Sequence, residues 1–83
     1  MNTKNVQQEL AQAGITSHID FATVTLPKLN MLSTEALENL ETRAEKMREC
    51  PYTASMYPRI YELVVREQLP TIRALLARRS DRK

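Results

Sequence analysis

Apolar residues recur along this chain at intervals of three and four, the spacing that gathers side chains on one face of a helix. Leu37, Leu40, Ala44 and Met47 show it most clearly. Ser33 stands where an N-cap is wanted, and Leu32 ahead of it can pack against Leu37 as a hydrophobic staple. Glu35, Glu38 and Glu41 fall toward the positive end of that helix, and Arg43, Lys46 and Arg48 toward its negative end, as the dipole favours. Pro51 stops it. An earlier helix, capped by Asn2 or Thr3, presents Val6, Leu10 and Ala13 to one side. It ends at Gly14, a residue suited to a left-handed C′ position, with Ile15 placed for the accompanying hydrophobic contact.

The remaining segments read less simply. Ser17 can cap a short helix that uses Ile19, Ala22 and Leu26, whereas the β-branched run Thr23, Val24, Thr25 favours extended chain. Pro27 disfavours helical geometry at Leu26, so residues 16–32 are read as a short helix and then an ordered loop anchored by Leu29 and Leu32. A third long helix is expected to start with Ser55 as cap and Pro58 in its first turn, with Met56, Ile60, Leu63, Val64 and Glu67 at helical spacing. Pro70 either kinks that helix or opens a fourth, whose apolar face is Ile72, Leu75 and Leu76.

Short connections between such segments favour antiparallel neighbours. The expected fold is all-α, a small bundle of about four short helices, mainly antiparallel, in a single domain over residues 1–83 with 1–2 and 80–83 frayed. Composition agrees: 42% hydrophobic, 27% charged and one glycine in 83 residues is too apolar for a disordered chain and too poor in glycine for most all-β ones. So small a core leaves a homodimer open as a way to bury more apolar surface. No apolar run is long enough to span a bilayer, and no segment has the pattern of a signal peptide. A cytoplasmic protein is the default expectation.

The parts for chemistry are missing from the pattern. Cys50 is the one cysteine and His18 the one histidine. A thiol nucleophile needs a base beside it, and these two fall in different segments. One residue of each kind, with an H-x-D pair at His18 and Asp20, is too little for a zinc site. Glu35, Glu38, Glu41, Glu45 and Glu49 are spaced as the solvated face of a helix, and no glycine-rich phosphate loop is present. No enzyme activity, metal or cofactor is expected.

Two surfaces remain as candidates for contact. The first is Tyr52, Met56, Tyr57 and Tyr61, a window holding three of the chain's four aromatic residues. Tyrosine has a large apolar body and a polar tip, which suits protein interfaces. The principal expectation is a non-enzymatic module that acts by stoichiometric binding to a larger protein, as an inhibitor, adaptor or chaperone does. The alternative is a nucleic-acid-binding regulator using Arg73, Arg78, Arg79, Arg82 and Lys83. Residues 66–83 hold six basic side chains against two acidic ones, although the formal net charge of the whole chain is only +2.

Leu10-Ala11-Gln12-Ala13-Gly14-Ile15-Thr16 resembles the turn of helix-turn-helix motifs. Asp20 and Thr23 then fall where the second helix of that motif buries apolar residues, and Leu10 where it takes a small one. The resemblance stops at about seven residues and is set aside. A membrane-surface helix around Ile72, Leu75 and Leu76 is short and without a Trp or Phe anchor, which makes a membrane partner unlikely.

Overall fold

A computed structural model describes residues 3–81, and all the structure in them is helical. The elements are α1 (Thr3–Gln12), α2 (His18–Thr23), α3 (Leu26–Met31), α4 (Thr34–Glu49), α5 (Pro51–Met56), α6 (Pro58–Glu62) and, after a π-helical turn over Leu63–Gln68, α7 (Leu69–Asp81). The all-α bundle read from the sequence is the fold, divided into more and shorter segments than four. The cap expected from Asn2 or Thr3 lies outside the described side chains.

Helix ends with strong local signals form as the sequence dictates. Gly14 has φ +85°, and the N–H groups of Gly14 and Ile15 donate to the carbonyls of Ala11 (3.0 Å) and Leu10 (2.8 Å). This is the paired bonding of a Schellman cap, and its hydrophobic contact is supplied by Leu10 and Ile15, both buried. At α4, the Ser33 hydroxyl accepts from the Ala36 N–H at 3.1 Å, with Leu32 and Leu37 buried on either side of it. No Glu follows at the third helical position to bond the Ser33 N–H, as a capping box would have it. Glu9 of α1 takes that role instead. Its carboxylate accepts from the Ser33 N–H and the Ser33 hydroxyl, both at 2.7 Å.

Two expectations need correction, and proline accounts for both. Pro27 does not hold residues 26–31 in a loop. It sits in the first turn of α3, where a missing N–H goes unused, and between α2 and α3 Val24 and Thr25 are extended. Ser55 is not a cap but lies inside α5. The breaks fall at Cys50 and Tyr57, the residues before Pro51 and Pro58, because a following proline ring disfavours helical geometry. Pro70 lies in the first turn of α7, one of the two readings the sequence leaves open. It is preceded by a wider turn in which the Leu69 N–H donates to the carbonyl of Val64, five residues back. Pro70 has no N–H to continue the α pattern, and the looser turn takes up that defect. It also lets Val64 and Leu69, spaced by five, both face inward.

The core is centred on α4 and α7. Leu37, Leu40, Ala44 and Met47, the stripe read from the sequence, are buried, as are Ile72 and Leu75 opposite. Arg73 lies against Glu41 and Glu45, while Arg79 reaches Thr34, so the two helices run antiparallel. Arg79 also donates to the Asn30 carbonyl at 3.0 Å, tying the last turns of α7 to α3. That anchor keeps Ser80 and Asp81 helical where fraying was expected; Arg82 and Lys83 lie outside the described residues. Small residues at Ala36 and Ala44, both fully buried, allow close approach to α4. Each fully buried leucine is worth roughly 1.5–3 kcal/mol over an exposed one.

Candidate functional site

The site is built from two sets of short helices that meet at one end of the bundle. On one side, α2 begins at Ser17, whose hydroxyl accepts from the Asp20 N–H at 3.3 Å. The Asp20 carboxylate accepts in turn from the Thr16 hydroxyl (2.8 Å) and the Thr16 N–H (3.2 Å). These bonds, the hydroxyl foremost, hold the Asp20 carboxyl below the ordinary aspartate range. Phe21 and Ala22 turn into the core, and Ile19, nearly opposite Phe21 around the helix, is left 61% exposed. The sequence reading had given Ile19 and Leu26 core roles. Phe21 holds that place, and Leu26 is exposed as well.

On the other side, the prolines at 51 and 58 break the chain into α5 and α6. Tyr57 in the break has φ −132° and ψ 63°, off the helical path. Tyr52 and Thr53 on α5, Tyr57, and Ile60 on α6 face Ser17, His18 and Ile19 across a mainly apolar groove of about 380 Å³. Tyr52 is 61% exposed and Tyr57 51%. Met56, expected on the core stripe of its helix, is instead 55% exposed beside Tyr57. Tyr61 does not join them. It is half-buried against the core, and its hydroxyl donates to the Arg48 carbonyl at 3.3 Å, near the C-terminus of α4. Of the four residues read as a contact patch, Tyr52 and Tyr57 line the groove, Met56 is exposed next to Tyr57 in the chain, and Tyr61 supports the fold. Ile19 was missed as a surface residue. Phe21 was the available signal, since the larger side chain of a six-residue helix claims the core.

The basic residues are placed differently. Arg73 donates to Glu45 at 2.6 Å and to Glu41 at 3.2 Å, and these partners raise its pKa. Arg79 donates to Thr34 and to the Asn30 carbonyl. Both therefore serve acceptors within the chain. Arg78 is exposed in the last turn of α7, and Arg82 and Lys83 lie outside the described residues. A hollow of about 490 Å³ between α4 and α7 is lined by these same paired groups, with Glu38 beside them. Its polar side chains are largely occupied with one another.

His18 lines the groove and Cys50 does not. The Cys50 thiol is half-buried and held below the ordinary thiol range by the Thr53 hydroxyl, with the backbone N–H groups of Thr53 and Tyr52 assisting. No imidazole enters that account. Among the described residues, no three His, Cys, Asp or Glu side chains converge as metal ligands would. No helix there is long and apolar enough to cross a membrane.

No family model, curated protein or solved structure matches this chain. The groove must be interpreted from its own residues.

Proposed function

We propose that this chain is a non-enzymatic binding module of the cytoplasm that acts stoichiometrically, by inhibition, adaptation or chaperoning, on a larger protein. The contact is the groove between α2 and α5–α6, and it takes an apolar side chain or short apolar segment of the partner. The observation that carries this reading is that Ile19, Tyr52 and Tyr57, each more than half exposed, line one ready-made concavity, while Met56, also exposed, is the chain neighbour of Tyr57. A small domain gains stability by burying such residues, and a contiguous exposed apolar patch marks an interaction surface more often than chance exposure. Tyrosines at its centre are suited to carry a large share of the contact energy. The unpaired Cys50 fits a reducing compartment.

Affinity capture from native cell extract tests the reading, with wild type beside the Ile19→Ala/Tyr57→Ala double variant and an Arg78→Ala/Arg82→Ala/Lys83→Ala variant. Circular dichroism establishes that each is folded. The groove variant is expected to lose the captured protein while the basic-end variant keeps it, with or without nuclease. Capture that survives loss of Ile19 and Tyr57, or that disappears with nuclease, moves the function to the basic end. If the partner is a second copy of this chain, sedimentation of the pure protein will show a dimer that the groove variant dissociates.

A further inference from the structure

Gln68 is the buried polar side chain of the described core, only 8% exposed. The two N–H groups of its Nε2 serve three carbonyls at the end of α2, one hydrogen being shared: Phe21 at 2.9 Å, Ala22 at 3.0 Å and Val24 at 3.0 Å. Helix α2 has six residues, too few to persist in water without support. Its chain leaves extended at Val24 and Thr25, so the carbonyls of its last turn have no following helical turn to donate to them, and only the Val24 N–H reaches back, to Phe21 at a long 3.5 Å. The bonds at its other end, among Thr16, Ser17 and Asp20, are all local. Beyond the packing of Phe21, Gln68 is therefore the polar tether from α2 to the rest of the bundle. Gln68 is itself the last residue of the π-helical turn that Pro70 follows.

We propose that Gln68 is a positioning residue: its amide is the latch that fixes α2 as one wall of the groove. With the latch broken, α2 opens as a unit and takes Ser17, His18 and Ile19 with it, while α4 and α7 stay packed. Each buried carbonyl deprived of its donor favours an open state in which water can reach it. Small elements with few tethers open well below the free energy of global unfolding. The importance of this opening for function rests on the groove being the contact surface, but the latch itself does not.

Native-state hydrogen exchange on the full chain tests it without any partner. Gln68→Met keeps a similar shape and removes both N–H donors, and Gln68→Glu removes them while keeping the polar outline. The amides of Phe21 and Ala22 are expected to exchange roughly ten- to a hundredfold faster in Gln68→Met, from the loss of two donor bonds. Those of Leu40, Ala44 and Ile72, where they exchange through global unfolding, are expected to speed up by no more than the same factor, because the lost bonds are absent from the open and the unfolded state alike. In the wild type, α2 amides are expected to exchange through an opening with weaker denaturant dependence than those of α4 and α7. Should Gln68→Glu fail to fold because of its buried charge, Gln68→Met and the wild-type measurement still decide. Unchanged protection in α2 of Gln68→Met, or wild-type α2 amides with the same denaturant dependence as those of α4 and α7, overturns the latch. Failure of the Ile19/Tyr57 variant to lose its partner would instead overturn the groove and leave this result standing.

Discussion

The junction of Glu9 with Ser33 allows a prediction that the general rule for helix caps gets wrong. The Ser33 hydroxyl both accepts from the Ala36 N–H and donates to Glu9, while the Glu9 carboxylate also takes the Ser33 N–H. Ser33→Ala removes the cap, typically about 1 kcal/mol, and one charge-assisted bond. Both residues retain access to water, which compensates part of the second loss, so the expected total is about 1.5–2.5 kcal/mol. For a chain of this size that lowers the melting temperature by roughly 6–20 °C. Glu9→Ala should cost about 1–2 kcal/mol by the same reasoning, and the double variant less than the sum, with a coupling of about 0.5–1.5 kcal/mol.

The sharper test is Ser33→Asp. Aspartate caps helices about as well as serine and suits the dipole, so a helix considered alone predicts little change. Here its carboxylate would meet that of Glu9, and it has no proton to donate. Ser33→Asp is expected to destabilise at neutral pH by at least as much as Ser33→Ala, and to recover when combined with Glu9→Gln. Urea unfolding followed by circular dichroism gives these energies, provided the m-value is unchanged. A Ser33→Asp variant as stable as wild type, or a Glu9/Ser33 coupling below about 0.3 kcal/mol, would falsify the claim that α1 completes the cap of α4.

Further outcomes follow from other parts of the fold. Gly14→Ala meets no obstruction, since the nearest heavy atom to the added Cβ is Lys28 Nζ at 3.6 Å; it should still cost about 1–2 kcal/mol in thermal unfolding, from the left-handed backbone alone. Because Asp20 titrates lower in the folded chain than the ~3.9 of an unfolded one, its contribution is present above that pH and is lost as pH falls through the depressed value. The stability difference between wild type and Asp20→Asn should accordingly shrink as pH falls below about 4, and a constant difference refutes the Thr16–Asp20 account. Tyr61→Phe should cost about 0.5–1.5 kcal/mol through its bond to Arg48, whereas Tyr57→Phe should be nearly neutral by the same unfolding assay.

What could be read from sequence was whatever local chemistry decides. The end of α1 at Gly14, the start of α4 at Ser33 and the stripe from Leu37 to Met47 depend on residues within a few positions of one another. The partners of Ser33 and Gln68 lie 24 and 44–47 positions away, and no local pattern announces them. The wide turn before Pro70 was illegible for another reason. Its spacing of five between Val64 and Leu69 looks like a lapse in helical periodicity until the backbone is seen to change its own period. Likewise, a proline disfavours helix at the residue before it: at Leu26 that rule does not bite, at Cys50 it ends α4 as Pro51 indicates, and at Tyr57 it breaks a stretch whose spacing reads as one helix. Pro27 follows the start of a helix, and Pro58 comes where one had to end.

The groove and the core compete for the same apolar residues, and the way they are divided gives the groove its meaning. Of four aromatic side chains, the one without a polar tip, Phe21, is fully inside, Tyr61 is half inside with its hydroxyl bonded, and Tyr52 and Tyr57 are out. Room for them on the α4 side is closed off, because Ala36 and Ala44 bring neighbouring helices close where larger gaps would admit a ring. The breaks at Pro51 and Pro58 then place Tyr52 on α5 and Tyr57 in the break after it, both lining the groove with Ile19, instead of along one continuous helix. A chain of 83 residues with so little core to spare leaves its largest side chains in water only at a cost, and that cost is offset if a partner covers them.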